Sequence, residues 1–137
     1  MKNQLLLSAV WILLCFINPA EAQWQPAFSP IQSQWAAEVS PDNVWQEYPR
    51  PQLVREKWLN LNGLWDYAIR PKDEDIPTQY DGQILVPFAV ESALSGVGKT
   101  VGELNRLWYR KTFEVPTDWN EPRIALRFEA VDWETKV

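Results

Sequence analysis

Residues 58–70 read WLNLNGLWDYAIR, and the reading of this stretch decides the fold. A turn signal at Asn62-Gly63 feeds into an alternating run. Trp65, Tyr67 and Ile69 point to one side, while Asp66 and Arg70 fall among the residues of the other. A period of two with large apolar side chains on one side is the pattern of a strand with one buried face. Three further runs extend the sheet that this one begins, at residues 83–86, 107–115 and 123–130. In the second of these, Leu107, Tyr109, Phe113 and Val115 alternate with Trp108, Arg110, Thr112 and Glu114. Lys111 is the one mismatch on the apolar side and marks where that face opens or meets a loop. In the third, Ile124, Leu126 and Phe128 alternate against Ala125, Arg127 and Glu129. The expectation is an all-β chain, part of a mostly antiparallel β-sandwich.

The 137 residues suit one domain, and the balance of charge is acidic, with a net −5. Phosphate backbones are bound by clusters of Lys and Arg, which this chain lacks, so nucleic acid is not an expected partner. The absence of histidine removes the usual general base and the commonest metal ligand. Nine tryptophans are many for this length. They serve either as core, since each ring buries a large apolar area, or as platforms for the apolar faces of sugars.

Residues 1–22 read as an export signal. Lys2 gives a positive start, an apolar run occupies 5–17, Pro19 breaks the helix, and Ala20-Glu21-Ala22 fits a small-x-small cleavage site. The apolar run is short for a membrane span, which needs about 20 residues, and a retained signal anchor is the competing reading. The single cysteine, Cys15, lies inside it, preceded by Leu14 where a lipoprotein signal would place a small residue. Cleavage after Ala22 gives a secreted or periplasmic chain without cysteine, which excludes disulfides and cysteine–metal sites. Residues 23–47, rich in Trp, Pro, Gln and Ser, then read as an extended leader that wraps the body and anchors by Trp24, Trp35 and Trp45. Ser40-Pro41-Asp42-Asn43 has the chemistry of a short helical turn.

Residues 48–137 make the domain. Within it, 70–77 is a charged loop bounded by prolines and 88–102 is a glycine-rich connection. Gly98-Lys99-Thr100 has the look of the end of a phosphate-binding loop. The spacing fails, because Ala93 stands where the motif needs its first glycine. At the far end, residues 131–134 read as a bend, and Thr135-Lys136-Val137 opens β-favouring sequence at the last residue. The expectation is therefore a sandwich left incomplete on its C-terminal side.

Five stretches now stand in order: YPRPQLVR at 48–55, WLNLNGLWDY at 58–67, ILVPF at 84–88, LWYRKTF at 107–113 and RIALRF at 123–128. Together they resemble the N-terminal sugar-binding domain of glycoside hydrolase family 2, the β-galactosidase and β-glucuronidase group, over residues 48–137. The resemblance implies a jelly-roll, galactose-binding-like sandwich. It also implies a parent enzyme that hydrolyses O-glycosyl bonds with retention, using two glutamates on a barrel that lies downstream. Retention requires two carboxyl groups about 5 Å apart, one of them a tuned acid. Asp73, Glu74 and Asp75 sit in a loop that nothing desolvates, and Asp132 and Glu134 flank Trp133 without a sign of burial.

No catalytic residue, metal ligand or cofactor is therefore assigned in this chain. The expected function is that of a non-catalytic front domain of an exported β-glycosidase, supporting the barrel and contacting a β-linked glycan through the parent enzyme. Its partners are then the downstream domains of the same protein. Asn105, Arg106, Asp132 and Trp133 are the candidates for sugar or barrel contact, with ordinary solvated loop residues as the competing reading. Two further classes stay open, a free-standing carbohydrate-binding module and an exported interaction domain that recognises no sugar.

Overall fold

The computed structural model describes residues 24–120, 123–131 and 134–137. The expected signal segment at 1–22, its cleavage site, and the candidates Asp132 and Trp133 lie outside the described residues. The chain is a small, mostly β domain built on a three-stranded antiparallel sheet. The strands are β1, Gly63–Pro71, β2, Gly82–Val86, and β3, Asn105–Arg110, in the order β2-β1-β3. Three short 3-10 helices, Gln34–Glu38, Pro51–Leu53 and Ala93–Ser95, complete the regular structure of the described residues. None of the helices described is long and apolar enough to cross a membrane.

The 58–70 stretch supplies the central strand, as its alternation requires. Trp65 pairs with Ile84, Tyr67 with Tyr109 and Gly82, and Ile69 with Leu107, so apolar partners meet on one face. On that face Tyr67 and Ile84 form the core with Val90, and Trp65, Ile69, Val86, Val97, Val101 and Leu107 pack around them. The opposite face of β1 and β2 holds buried side chains as well, Ala68 and Leu85, both fully buried. Burying a side chain the size of Ile84 or Leu85 contributes roughly 1.5–3 kcal/mol.

Asn62-Gly63 does not form a hairpin turn. Gly63 opens β1 with φ +114, a conformation that favours glycine, and faces the Pro41 carbonyl. Asn62 uses its side chain to hold the leader, donating to the Trp45 carbonyl at 3.1 Å, and Asn60 donates to the same oxygen at 2.8 Å. The leader is thus fastened by backbone carbonyls, by the buried Val44 and by the Trp24 indole, which donates to the Ser95 carbonyl, while the rings of Trp35 and Trp45 stay largely in solvent, Trp45 meeting Phe88 edge-on. Ser40-Pro41-Asp42-Asn43 is a tight turn closed by a Ser40–Asn43 bridge, without helix.

Two expected strands fall short. β3 ends at Arg110 instead of running to Val115, and residues 123–130 carry no strand. The ladder stops one residue before Lys111, whose ammonium turns to donate to the Leu64 carbonyl at 2.9 Å. Beyond it Phe113, Val115, Ile124, Leu126 and Phe128 are all exposed. Alternation gives a segment an apolar side, but a strand also needs a neighbouring edge to bond, and no described strand lies beside these residues. Neither a second sheet nor a sandwich is present among the described residues.

Candidate functional site

The start of β3 places the two described candidates, Asn105 and Arg106. Adjacent residues of a strand point to opposite faces, so the two do not converge. Asn105 pairs with Pro71 at the end of the ladder, and its amide donates to the Val101 carbonyl at 2.8 Å. It lines an open hollow of about 580 Å³ with Pro71, Lys72, Asp73 and Leu104. The backbone N–H of Lys72 donates to the Leu104 carbonyl at 3.0 Å, which ties the two walls of that hollow together.

Arg106 lies on the polar face, directly opposite Arg70. Two like charges opposed across a ladder repel, and the structure separates them by engaging each elsewhere. Arg70 turns to Asp81, bonding its two carboxylate oxygens at 2.7 and 2.9 Å, and donates to the Gln79 carbonyl at 2.9 Å. Arg106 instead lies over the ring of Trp108, 5.5 Å from its centroid. Two residues on, Arg110 bonds Asp66 and also covers the Tyr80 ring at 4.1 Å. The polar face therefore carries a row of Arg106, Trp108 and Arg110 along β3, faced by Arg70, Ala68 and Asp66 on β1.

Trp108 is the unusual member of that row. Its indole N–H is buried and has no acceptor among the described residues. A buried unpaired donor costs about 1–3 kcal/mol. The indole of Trp65, on the other face, has its acceptor in the Leu61 carbonyl at 2.7 Å.

Asp81, which bonds to this face, is not tuned as a general acid. Asp81 has its pKa lowered from 3.8, chiefly because its carboxylate accepts the Ile69 N–H. Partial burial works against that, and the hydrogen bond and charge of Arg70, then the charge of Lys99, add to the lowering. A general acid needs the opposite direction. Asp66 is engaged by Arg110, and Asp73, Glu74 and Asp75 are exposed on the 71–81 connection. Glu74 and Asp75 border a second open hollow of about 340 Å³ with Arg70 and residues 76–79. No group of three or more potential metal-ligating side chains is present among the described residues.

Sequence reasoning named Asn105 and Arg106 but missed Trp108, Tyr80 and Asp81. Period two from Arg106 places Trp108 and Arg110 beside it, so that part of the row was available from the alternation. The contacts of Tyr80 and Asp81 depend on how the 71–81 connection folds back, which no periodicity encodes. Comparison with models of known protein families gives no match, and none of the curated proteins matches the chain either.

Proposed function

We propose that this chain is the non-catalytic opening β-domain of an exported, retaining β-glycosidase of the glycoside hydrolase family 2 type. The observation that carries the reading is the correspondence between the ordered motifs and the sheet. The 58–67 motif enters β1, the 84–88 motif contains the end of β2, and the 107–113 motif contains most of β3, all three adjacent in one antiparallel sheet. The exposed apolar side chains at 113, 115, 124, 126 and 128 are what the covering sheet of a jelly-roll sandwich would use. On this reading the chemistry belongs to the barrel of the parent enzyme. The polar row of Arg106, Trp108 and Arg110 is the surface offered to that barrel or to a β-linked glycan, with Asp132 and Trp133 as further candidates.

A free-standing carbohydrate-binding module is the second reading, favoured by the exposed rings of Trp35 and Trp45. A chromogenic β-glycoside assay and calorimetry against simple galactosides and glucuronides, both on this chain alone, test the proposal. The first reading expects no turnover, and any saturable heat to survive the loss of Trp35 and Trp45. Turnover overturns it, and saturable binding lost in a Trp35→Ala, Trp45→Ala double variant moves the assignment to the module.

A further inference from the structure

The glycine-rich connection between β2 and β3, set aside above as a phosphate cradle, has a different occupant in the structure. Its residues Val90, Val97 and Val101 pack down on the aromatic face of the sheet. The turn Ala93–Ser95 is tied internally: the buried Ser95 hydroxyl donates to the Ser92 carbonyl at 2.7 Å and accepts the Val97 N–H at 3.0 Å. The Lys99 N–H donates to the Val90 carbonyl at 3.1 Å and closes the loop.

Across the outside of this turn runs the beginning of the leader. The Trp24 indole N–H donates to the Ser95 carbonyl at 3.3 Å, and the Ala27 N–H donates to the Ala93 carbonyl at 2.8 Å. Both glycines of the turn sit under that segment. A Cβ on Gly96 would stand 2.5 Å from Trp24 Nε1 and 3.0 Å from its Cδ1, and a Cβ on Gly98 would stand 3.0 Å from the Ala27 Cβ. Positive φ, +81 and +62, adds a second reason for glycine at each position.

We propose that residues 93–98 are a docking seat for the chain's own residues 24–27, and that this clasp holds the β2–β3 connection down over the aromatic face. The glycines make room for an indole and a backbone, and the two carbonyls read one side-chain donor and one main-chain donor. Undocking the clasp lets the connection lift while the three-stranded ladder stays intact.

Hydrogen exchange on the full chain and on Trp24→Ala tests this. The Val97 and Lys99 amides are expected to exchange about tenfold faster in the variant, with the β1–β2 ladder amides unchanged. Trp24→Phe, which keeps a ring but loses the N–H, is expected to fall between. A peptide of residues 24–30, WQPAFSP, added at millimolar concentration to Trp24→Ala, is expected to restore protection of the two amides. Unchanged loop exchange in Trp24→Ala, an increase spread equally over the ladder, or a peptide without effect would each overturn the proposal.

Discussion

Asp66 on β1 and Arg110 on β3 stand directly opposite each other, and Arg110 places two N–H groups on a single oxygen, Asp66 Oδ2, at 2.9 and 2.7 Å. The same guanidinium covers the Tyr80 ring at 4.1 Å, which links the 71–81 connection to the far strand across β1. The arginine side chain is 55% exposed, so solvent screens the ion pair. Exposed pairs contribute about 0–1 kcal/mol and an exposed cation–π contact about 0.5–1 kcal/mol. Arg110→Ala, which removes both, is expected to lower stability by about 1 kcal/mol in urea unfolding. Asp66→Asn, which removes one, is expected to cost less. Equal losses would show that the Tyr80 contact contributes nothing.

Trp65 and Trp108 form a matched comparison, since one indole N–H is paired and the other has no acceptor among the described residues. Replacement by Phe removes a similar volume from each site. Trp65→Phe leaves the Leu61 carbonyl without its partner and is expected to cost about 1 kcal/mol more than Trp108→Phe, which relieves an unpaired donor. Thermal or urea unfolding of the two variants decides it, and a larger loss at 108 would mean that its N–H does find an acceptor.

Ile84 is fully buried between β1 and the β2–β3 connection. Truncation to alanine should leave a cavity and cost roughly 2–5 kcal/mol, enough to unfold a marginal domain. Circular dichroism at increasing urea would report it, and a loss under 1 kcal/mol would contradict the assigned core.

The folded-state pKa of Asp81 lies below its ordinary 3.8, so the native protein holds this proton less tightly than the unfolded chain does. The stability it contributes is complete above the unfolded value and is lost as pH falls through the lowered folded value. Asp81→Asn is therefore expected to flatten the acid limb of stability below about pH 4, the region of an ordinary aspartate. An unchanged acid limb in urea titrations from pH 5 to 2 would remove Asp81 from that role.

Much of the sheet was legible because alternation is enforced by a face. Trp65, Tyr67 and Ile69 predicted β1 and its buried side, and Leu107 and Tyr109 predicted the β3 partners that meet them. The same periodicity at Phe113 and Val115, and again at Ile124, Leu126 and Phe128, predicted strands that are not formed. Apolar spacing specifies a side but supplies no edge, and Lys111 was the residue at which the signal failed. Val44 and Ser95 are also buried, yet no alternating apolar run passes through either residue. For the site, Arg106 was found together with Asn105, yet the alternation that found β3 also sets them on opposite faces. Asp81 acts on Ile69 and Arg70 through the fold of the intervening connection, beyond the reach of spacing rules.

The proposed identity is tested most directly by sequencing the native transcript across and beyond the codon of Val137. The account predicts an open reading frame that continues into further strands, an immunoglobulin-like domain and a barrel carrying two glutamates. A stop codon there, or a continuation of another architecture, would contradict it.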